Sequence, residues 1–240
     1  MAMILIKPYG WFMLVGILAS LGFWARLARR DGRLMLVYAA ALVGAFLGAK
    51  IVYILAEGWR DFVLQDVWER LATGKSILGA LLGGYAAVEW AKRFFDYETV
   101  TGDWFATIVP FGVMIGRVGC WIHGCCHGVI CSSWGLGVSD GRGGLRWPAV
   151  PVELGFNAVM ILVFLWLRRS RRLSGQHFHV YLISYGLFRF CHEFLRDTPR
   201  LLWGLSGYQT AAAGVAVLGL VRFRQRAPKT LEIPLSLYGK

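Results

Sequence analysis

The stretch from Trp104 to Ile122, WFATIVPFGVMIGRVGCWI, is almost entirely apolar and contains one charged residue, Arg117. Its length matches the roughly 20 residues that an α-helix needs to cross the hydrocarbon core of a bilayer. A backbone in lipid must satisfy its own hydrogen bonds, and the run is too long for a barrel strand. The stretch therefore predicts a transmembrane helix. The arginine within it is a candidate functional residue, because a charge inside the membrane is costly.

The composition of the whole chain agrees with this interpretation. The 240 residues are 57% hydrophobic and only 17% charged, and the mean hydropathy is +0.52. Soluble domains carry about 45–50% apolar and about 25% charged residues, so a soluble enzyme, a disordered chain and a coiled coil are all excluded. The net charge of +12 does not indicate a nucleic-acid partner, because lysine and arginine cluster between apolar stretches. We expect a single membrane-embedded domain over residues 1–240.

Further apolar runs predict an all-α, polytopic helical membrane protein with about seven transmembrane helices. The runs are residues 9–25, 34–56, 76–91, 104–122, 149–167, 177–195 and 202–221. The first run lacks a basic leader and an A-x-A cleavage site, so we expect a retained helix and not a signal peptide. Basic residues follow the first, third, fifth and seventh runs. The positive-inside rule then predicts a cytoplasmic C-terminus and an outer N-terminus.

Two segments are expected outside the hydrocarbon core on the outer side. Residues 57–75 have apolar positions at helical spacing from Phe62 to Leu71, beside Trp59 and Trp68. This pattern predicts an amphipathic interfacial helix. Residues 123–148 are expected to form a small extracytoplasmic head.

A second charged cluster lies in the run 177–195 and just beyond it. Arg189, Glu193 and Arg196 are spaced i, i+4 and i+7, which predicts that all three lie on one helix face. Glu193 can then pair with either arginine. Two planar guanidinium groups suit a phosphate, and a phospholipid headgroup is the anion expected in a membrane bundle. The alternative is a structural ion-pair network that fixes helix packing.

The segment from Gly116 to Gly137 is unusually rich in cysteine and histidine. Its candidate reactive residues are Cys120, Cys125, Cys126, His123 and His127, with Cys131 nearby. The cysteine spacing is not that of a zinc ribbon or a thioredoxin-like pair, so no metal ligands are assigned and no cofactor is expected. Cys120 lies three residues after Arg117, and a nearby guanidinium favours a reactive thiolate with a histidine as base. The alternative is a disulfide from Cys125 or Cys126 to Cys131.

Four motifs occur in one order along the chain. They are the small-residue segment Ser76–Gly84, Gly116-Arg117-Val118-Gly119-Cys120-Trp121-Ile122-His123-Gly124, Arg146-Trp147-Pro148 followed by Glu153, and Tyr185-Gly186-Leu187-Phe188-Arg189 followed by Glu193, Phe194 and Arg196. In this order they resemble the motifs of the prolipoprotein diacylglyceryl transferase family. The resemblance covers nearly the whole chain.

The resemblance implies a reaction and a set of site residues. The family transfers diacylglycerol from phosphatidylglycerol to the thiol of a lipobox cysteine in a secreted precursor, and glycerol phosphate leaves. By position, Arg117 and Arg189 would hold the phosphate in the catalytic site, together with the cysteines and histidines above. The residues expected to bind or orient substrate are Tyr185, Glu153, Glu193, Arg196, Gly119, Gly124 and Arg146.

The sequence departs from the family pattern at three positions of the motifs. Leu78 stands where the family has histidine, Cys120 where the signature has asparagine, and Cys125 where a polar or acidic residue follows. The head is also short. These departures indicate a divergent, cysteine-rich paralogue. The family resemblance implies that it lies in the bacterial cytoplasmic (inner) membrane.

Three functional interpretations follow. The first is a transferase that uses a phosphatidylglycerol-like anionic phospholipid as donor, with a lipobox precursor or a small thiol as acceptor. The second is a different enzyme on the same scaffold, in which a reactive cysteine moves a lipid- or thiol-linked group to or from a small acceptor. The third is a non-enzymatic membrane protein whose Cys/His cluster binds metal or staples a loop.

Overall fold

The computed structural model describes residues 8–29, 31–63, 67–131, 137–139 and 144–230. Most of these residues are helical, as the apolar runs predicted. The α-helices are α1 (Pro8–Leu27), α2 (Arg33–Ala56), α3 (Val67–Thr73), α4 (Ile77–Phe94), α5 (Gly102–His123), α6 (Ala149–Arg169), α7 (His177–His192) and α8 (Gly207–Thr230). Short 3-10 helices occupy Gly58–Val63, Glu193–Leu195 and Leu202–Gly204.

Among the described residues, three helices are long and apolar enough to cross a membrane: α2, α5 and α6. The segment Leu14–Leu27 of α1 is apolar as well. Large apolar side chains face outward along these helices, including Phe46 and Leu55 on α2 and Leu162 on α6. Continuous apolar surface of this kind is typical of contact with lipid and is rare on soluble monomers. The helical membrane fold is therefore confirmed.

Helices α2 and α4 pack against each other through glycines. A Cβ atom at Gly48 would fall on the carbonyl oxygen of Gly79, and one at Gly83 would fall on that of Gly44. Small residues let two helix backbones approach closely, and this is a common way for membrane helices to associate. The seam places Ser76, which caps α4 by accepting from the Gly79 amide at 3.3 Å, against the middle of α2.

The basic segments that follow alternate predicted spans meet at one end of the bundle. Arg33 donates to the Asp96 carbonyl at 3.4 Å, and Arg168 donates to the Asp103 carbonyl at 2.9 Å. The tail residue Arg226 pairs with Glu89 at 2.6 Å. These contacts place the start of α2, the end of α6 and the tail at the same end of the bundle. The alternation of basic loops along the sequence predicted this arrangement.

The segment predicted as one interfacial helix is divided. It contains the 3-10 helix Gly58–Val63 and the short helix α3, while residues 64–66 lie outside the described part. Lys50 of α2 fixes the end of α3, because its ammonium donates to the carbonyls of Leu71, Ala72 and Gly74 at 2.6, 2.6 and 2.8 Å. The ionisable residue in the second apolar run thus stabilises a helix terminus.

The predicted head is described only in part, because residues 132–136 and 140–143 lie outside the described residues. The rest forms a small ribbon in which β1 (Val138–Ser139) pairs antiparallel with β2 (Leu145–Arg146). Two isolated bridges, Gly128 with Arg196 and Ile130 with Arg146, tie this ribbon to the end of α7. The ribbon is the one departure from an all-α fold among the residues described.

Candidate functional site

Helices α5, α6 and α7 bring a network of five charged side chains together. An Nη2 atom of Arg117 lies 2.8 Å from Oε2 of Glu153, and Arg189 pairs with Glu193 one turn later on the chain. Arg196 links the two pairs, with Nε 3.6 Å from Oε2 of Glu193 and Nη1 4.0 Å from Oε2 of Glu153. None of the five residues is more than 8% exposed. Charges this deeply buried must be paired to be tolerated.

The i, i+4, i+7 spacing predicted that Arg189, Glu193 and Arg196 lie on one face of a single helix. In the structure Arg196 lies beyond the end of that helix. Helix α7 ends at His192, and Glu193–Leu195 tighten into a 3-10 turn. Arg196 then adopts extended backbone (φ −106°, ψ 147°) and is held by its bridge to Gly128. The predicted pairing of Glu193 with both arginines is observed, but Arg196 reaches it from beyond the helix end.

The network has one more positive group than negative groups. Three guanidinium groups face two carboxylates, and several of the arginine N–H groups have no acceptor among the described residues. The buried atoms of the network without a hydrogen-bond partner among the described residues are the donors Nε of Arg117 and Nε and Nη1 of Arg196, and the acceptors Oε2 of Glu153 and Oε1 of Glu193. Leaving a buried donor unpaired costs about 1–3 kcal/mol. An anion bound here would supply the missing acceptors, and phosphate has the matching geometry.

Tyr185 is fully buried and holds Glu153. Its hydroxyl donates to Oε1 of Glu153 at 2.7 Å. One turn earlier on α7, Tyr181 donates to Oδ1 of Asn157 at 2.9 Å, and Asn157 in turn donates to the Glu153 backbone carbonyl at 2.8 Å. Tyr185 was expected to contact the lipid headgroup. In the structure its hydroxyl contacts the carboxylate that positions Arg117.

Three cysteine thiols gather at the end of α5. Gly124 ends the helix in the left-handed conformation (φ 65°), and Cys126 adopts the same sign of φ (65°), which is unusual for a residue with a side chain. These two backbone turns bring the sulfurs of Cys120, Cys125 and Cys126 within 4.8 Å of one another. Cys125 also donates to the Cys120 carbonyl at 3.7 Å.

The electrostatic surroundings of these thiols differ. The pKa of Cys126 is held well below its usual range, first by hydrogen bonds from the Cys120 and Cys125 thiols and then by the Arg117 and Arg196 guanidinium groups. The pKa of Cys125 is raised by its hydrogen bonds to the other two thiols and by burial. Arg117 and Arg196 thus act electrostatically on Cys126, while a cysteine that lines the same cavity as Arg117 stays a prediction.

The remaining predicted site residues lie around this centre. The side chains of His123 and His127 are exposed, and Gly119 is buried in α5. Arg146 donates to the Gly128 carbonyl at 3.1 Å and pairs with Asp197 at 3.0 Å, outside the buried network. All five cysteines are free, and the Cys131 thiol donates to the Val129 carbonyl at 3.5 Å. The alternative of a disulfide to Cys131 is therefore wrong for this structure.

One residue beside the network was not predicted from the sequence. His192 is buried, and its Nε2 accepts from the Trp147 indole at 3.1 Å, which leaves the proton on Nδ1. Nδ1 is buried and has no partner among the described residues. The signal was present in the sequence, because position 192 falls on the same helical stripe as Arg189 and Glu193.

An apolar groove lies between α5 and α6. It has a volume of about 290 Å³ and is lined by Val118, Trp121, Pro151 and Leu154. Val118 follows Arg117 on α5, and Leu154 follows Glu153 on α6. The fold and site thus define a helical membrane protein with a buried network of charged side chains where α5, α6 and α7 meet.

Comparison with known proteins identifies the family. A family model described as prolipoprotein diacylglyceryl transferase matches residues 1–224, and the chain belongs to this family of bacterial inner-membrane transferases. A phosphatidylglycerol–prolipoprotein diacylglyceryl transferase of Pseudoalteromonas atlantica is 33% identical over 207 residues, which cover 80% of this chain and 72% of the relative. An enzyme of the same name from Clostridium tetani is 26% identical over 242 residues, covering 92% of this chain and 95% of the relative.

Proposed function

We propose that the protein transfers a diacylglyceryl group from phosphatidylglycerol, or a similar anionic glycerophospholipid, to a thiol acceptor. The observation that carries the proposal is the excess of buried guanidinium groups over carboxylates: three arginines share two glutamates, and N–H groups of Arg117 and Arg196 have ion-pair partners but no hydrogen-bond acceptor among the described residues. The names of the relatives supply the donor and suggest a prolipoprotein cysteine as acceptor. A small thiol is the alternative acceptor, because the short head region offers less surface to hold a peptide.

In the proposed reaction the acceptor thiolate attacks the glyceryl carbon that carries the phosphate. A carbon–sulfur bond forms, the carbon–oxygen bond to phosphate breaks, and the electron pair leaves on the phosphate oxygen. The proton lost by the thiol ends on the departing glycerol phosphate. Arg117, Arg189 and Arg196 would stabilise the charge that develops there. A preorganised donor of this kind contributes about 2.7–4 kcal/mol to the transition state.

The contacts divide the residues into those that bind and those that position. Glu153 and Glu193 hold the guanidinium groups, and Tyr185 holds Glu153. We assign His192 a binding role, because its buried Nδ1–H is a further donor at the same end of α7. The groove beside Val118 and Leu154 is suited to one acyl chain of the donor.

We also propose the arrangement in the membrane. The whole chain forms one domain of about seven spans in the bacterial inner membrane, with the basic end of the bundle in the cytoplasm. The contacts that gather Arg33, Arg168 and Arg226 at one end support this, because the positive-inside rule applies to them together. The charged network and the cysteines would then face the outer side, where a secreted precursor emerges.

A second candidate function is supported by the three gathered thiols. In this alternative a reactive cysteine carries a lipid- or thiol-linked group to or from a small acceptor. The two functions are separated by incubating purified protein with a lipobox peptide and with phosphatidylglycerol that is labelled in its acyl chains. Label on the peptide, absent when its cysteine is replaced by serine, supports the first function. Acyl label held on a protein cysteine as a thioester, and released by a small thiol, supports the second.

A further inference from the structure

Three nucleophilic side chains at the end of α5 have no role in the phosphate site. Their sulfurs lie within 4.8 Å of one another, Cys120 is buried, and Cys125 and Cys126 are half-buried. The alignment with the family motif does not account for them, because Cys120 and Cys125 occupy positions where the family has other residues. Cys131, a few residues further along the chain, and Cys191 on α7 are not part of this three-thiol group.

A covalent role for these thiols is chemically unfavourable in diacylglyceryl transfer. Attack of Cys126 on the glyceryl carbon would form a thioether within the protein. A thioether sulfur is a far poorer leaving group than phosphate, so a second thiol would not displace it and the enzyme would be consumed. Three thiols that must remain unmodified after each turnover are better suited to bind a metal ion as ligands.

We propose that Cys120, Cys125 and Cys126 bind one thiophilic divalent cation such as Zn²⁺, and that its fourth position is open to the acceptor thiol. Zinc in proteins is bound tetrahedrally by thiolates at about 2.3 Å, which places ligand sulfurs about 3.8 Å apart. The observed spacing is close enough for small side-chain rotations to reach this. Three protein ligands with one open position is the arrangement of catalytic zinc sites.

The surrounding charge is compatible with such a centre. Three thiolates and a divalent cation carry a net single negative charge, and Arg117 and Arg196 lie beside Cys126. Those two side chains have the unpaired buried donors described above. The left-handed backbone at Cys126 supports a functional reason for the geometry, since such a conformation costs about 1–3 kcal/mol in a residue with a side chain.

A bound cation would perform one defined task. A thiol that coordinates a divalent metal is deprotonated, so the acceptor would arrive as a thiolate beside the phosphate site. Its proton goes to the departing phosphate, as in the proposed reaction. This second half of the inference rests on the proposed function, while metal binding by the three cysteines does not.

The metal site is tested with Co²⁺ as the probe on the reduced, detergent-purified full-length protein. We expect one Co²⁺ per chain with strong sulfur-to-metal absorption and tetrahedral ligand-field bands. Each of Cys120→Ser, Cys125→Ser and Cys126→Ser removes a metal ligand and should weaken Co²⁺ binding strongly. The expected loss exceeds the roughly 10- to 100-fold that follows removal of a residue hydrogen-bonded to a ligand. Cys131→Ser and Cys191→Ser are the matched controls and should bind as the wild type does. Wild-type protein without thiolate absorption, or equal binding by all five variants, overturns the metal site.

The open position is tested by adding a lipobox peptide to the Co²⁺-loaded protein. The cysteine peptide should shift the ligand-field bands, and the same peptide with serine should not. A bound metal with a spectrum that the cysteine peptide leaves unchanged refutes the acceptor role. Labelled phosphatidylglycerol distinguishes the two proposals: transfer without metal binding sinks only the metal site, and metal binding without transfer sinks only the proposed function.

Discussion

Glu153 is the side chain on which the charged site depends. It is fully buried on α6 and is contacted by Arg117 from α5, by the Tyr185 hydroxyl from α7, and at 4.0 Å by Arg196 from beyond α7. An ionised carboxylate in this position is stable only while its partners remain, because removing one partner of a buried ion pair costs about 3–5 kcal/mol. Variants that keep the charge are therefore the informative ones.

Replacing Arg189 by lysine keeps the positive charge beside Glu193 and removes the planar fork. We expect diacylglyceryl transfer from phosphatidylglycerol to fall by roughly a hundredfold or more, the usual loss when one preorganised donor is removed from a transition state. The measurement is the initial rate with labelled lipid, beside thermal unfolding in detergent. Arg33→Lys, at the other end of the bundle and exposed, is the control. Unchanged transfer by the Arg189 variant would remove it from the phosphate site.

Tyr185→Phe tests whether the orientation of Glu153 matters for turnover. The change removes one hydrogen bond to a buried carboxylate, which contributes about 1.5–3 kcal/mol, and we expect the transfer rate to fall at least tenfold. Tyr181→Phe is a close control, since Tyr181 is equally buried on the same helix but donates to Asn157. It should lower the unfolding temperature with little effect on rate. Equal rates for the two variants would contradict a positioning role for Tyr185.

The sequence was sufficient to predict the charged residues of the site but not all of their contacts. A charge inside an apolar run is costly, so hydropathy alone is enough to single out Arg117 and Glu153. Substrate binding by Arg146, predicted from its motif, stays a prediction, while its contacts with Asp197 and the Gly128 carbonyl were not indicated by the sequence. The three-thiol group depends on a left-handed backbone at Cys126, which no local sequence rule predicts for cysteine.

At the scale of elements, the seam between α2 and α4 is the tightest contact. Gly48→Ala would place a methyl group on the backbone of α4, and overpacking of this kind costs about 1–3 kcal/mol. We expect a lower unfolding temperature in detergent. Gly112→Ala on α5 is the control, because nothing lies within 4 Å of its added Cβ, and it should be neutral or stabilising by up to about 1 kcal/mol. A Gly48 variant as stable as wild type would mean that the helices separate readily.

Two helix ends show how closely the apolar runs agree with the structure. The run 177–195 predicted a helix through Leu195, and helical backbone continues to that residue, as α7 to His192 and then as the 3-10 turn Glu193–Leu195. The run 104–122 agrees with α5 within two residues, since Gly124 ends it by a local conformation that glycine adopts readily. Hydropathy thus predicted where these helices end, but not that the last turn after α7 is a 3-10 turn or that Arg196 follows it in extended backbone.

The two ends of the whole molecule have different chemistry. One end gathers the basic connections, where Arg168 lies over the Trp104 ring at 4.0 Å and Arg226 pairs with Glu89. The other end carries the charged network, the three thiols and the β1–β2 ribbon. A bilayer separates such ends, and an excess of lysine and arginine favours the cytoplasmic side. The site would then open to the compartment in which secreted precursors are processed.

This orientation is tested by reporters fused to the chain. With the basic end inside, green fluorescent protein fused after Lys240 should fluoresce, and alkaline phosphatase at the same position should be inactive. The matched control ends the chain after Thr198, between the last two predicted spans, and should give the opposite pattern because it stops on the outer side. Active phosphatase after Lys240 would invert the proposed topology. The site would then face the cytoplasm, and a secreted lipobox precursor would no longer be an acceptor that can reach it.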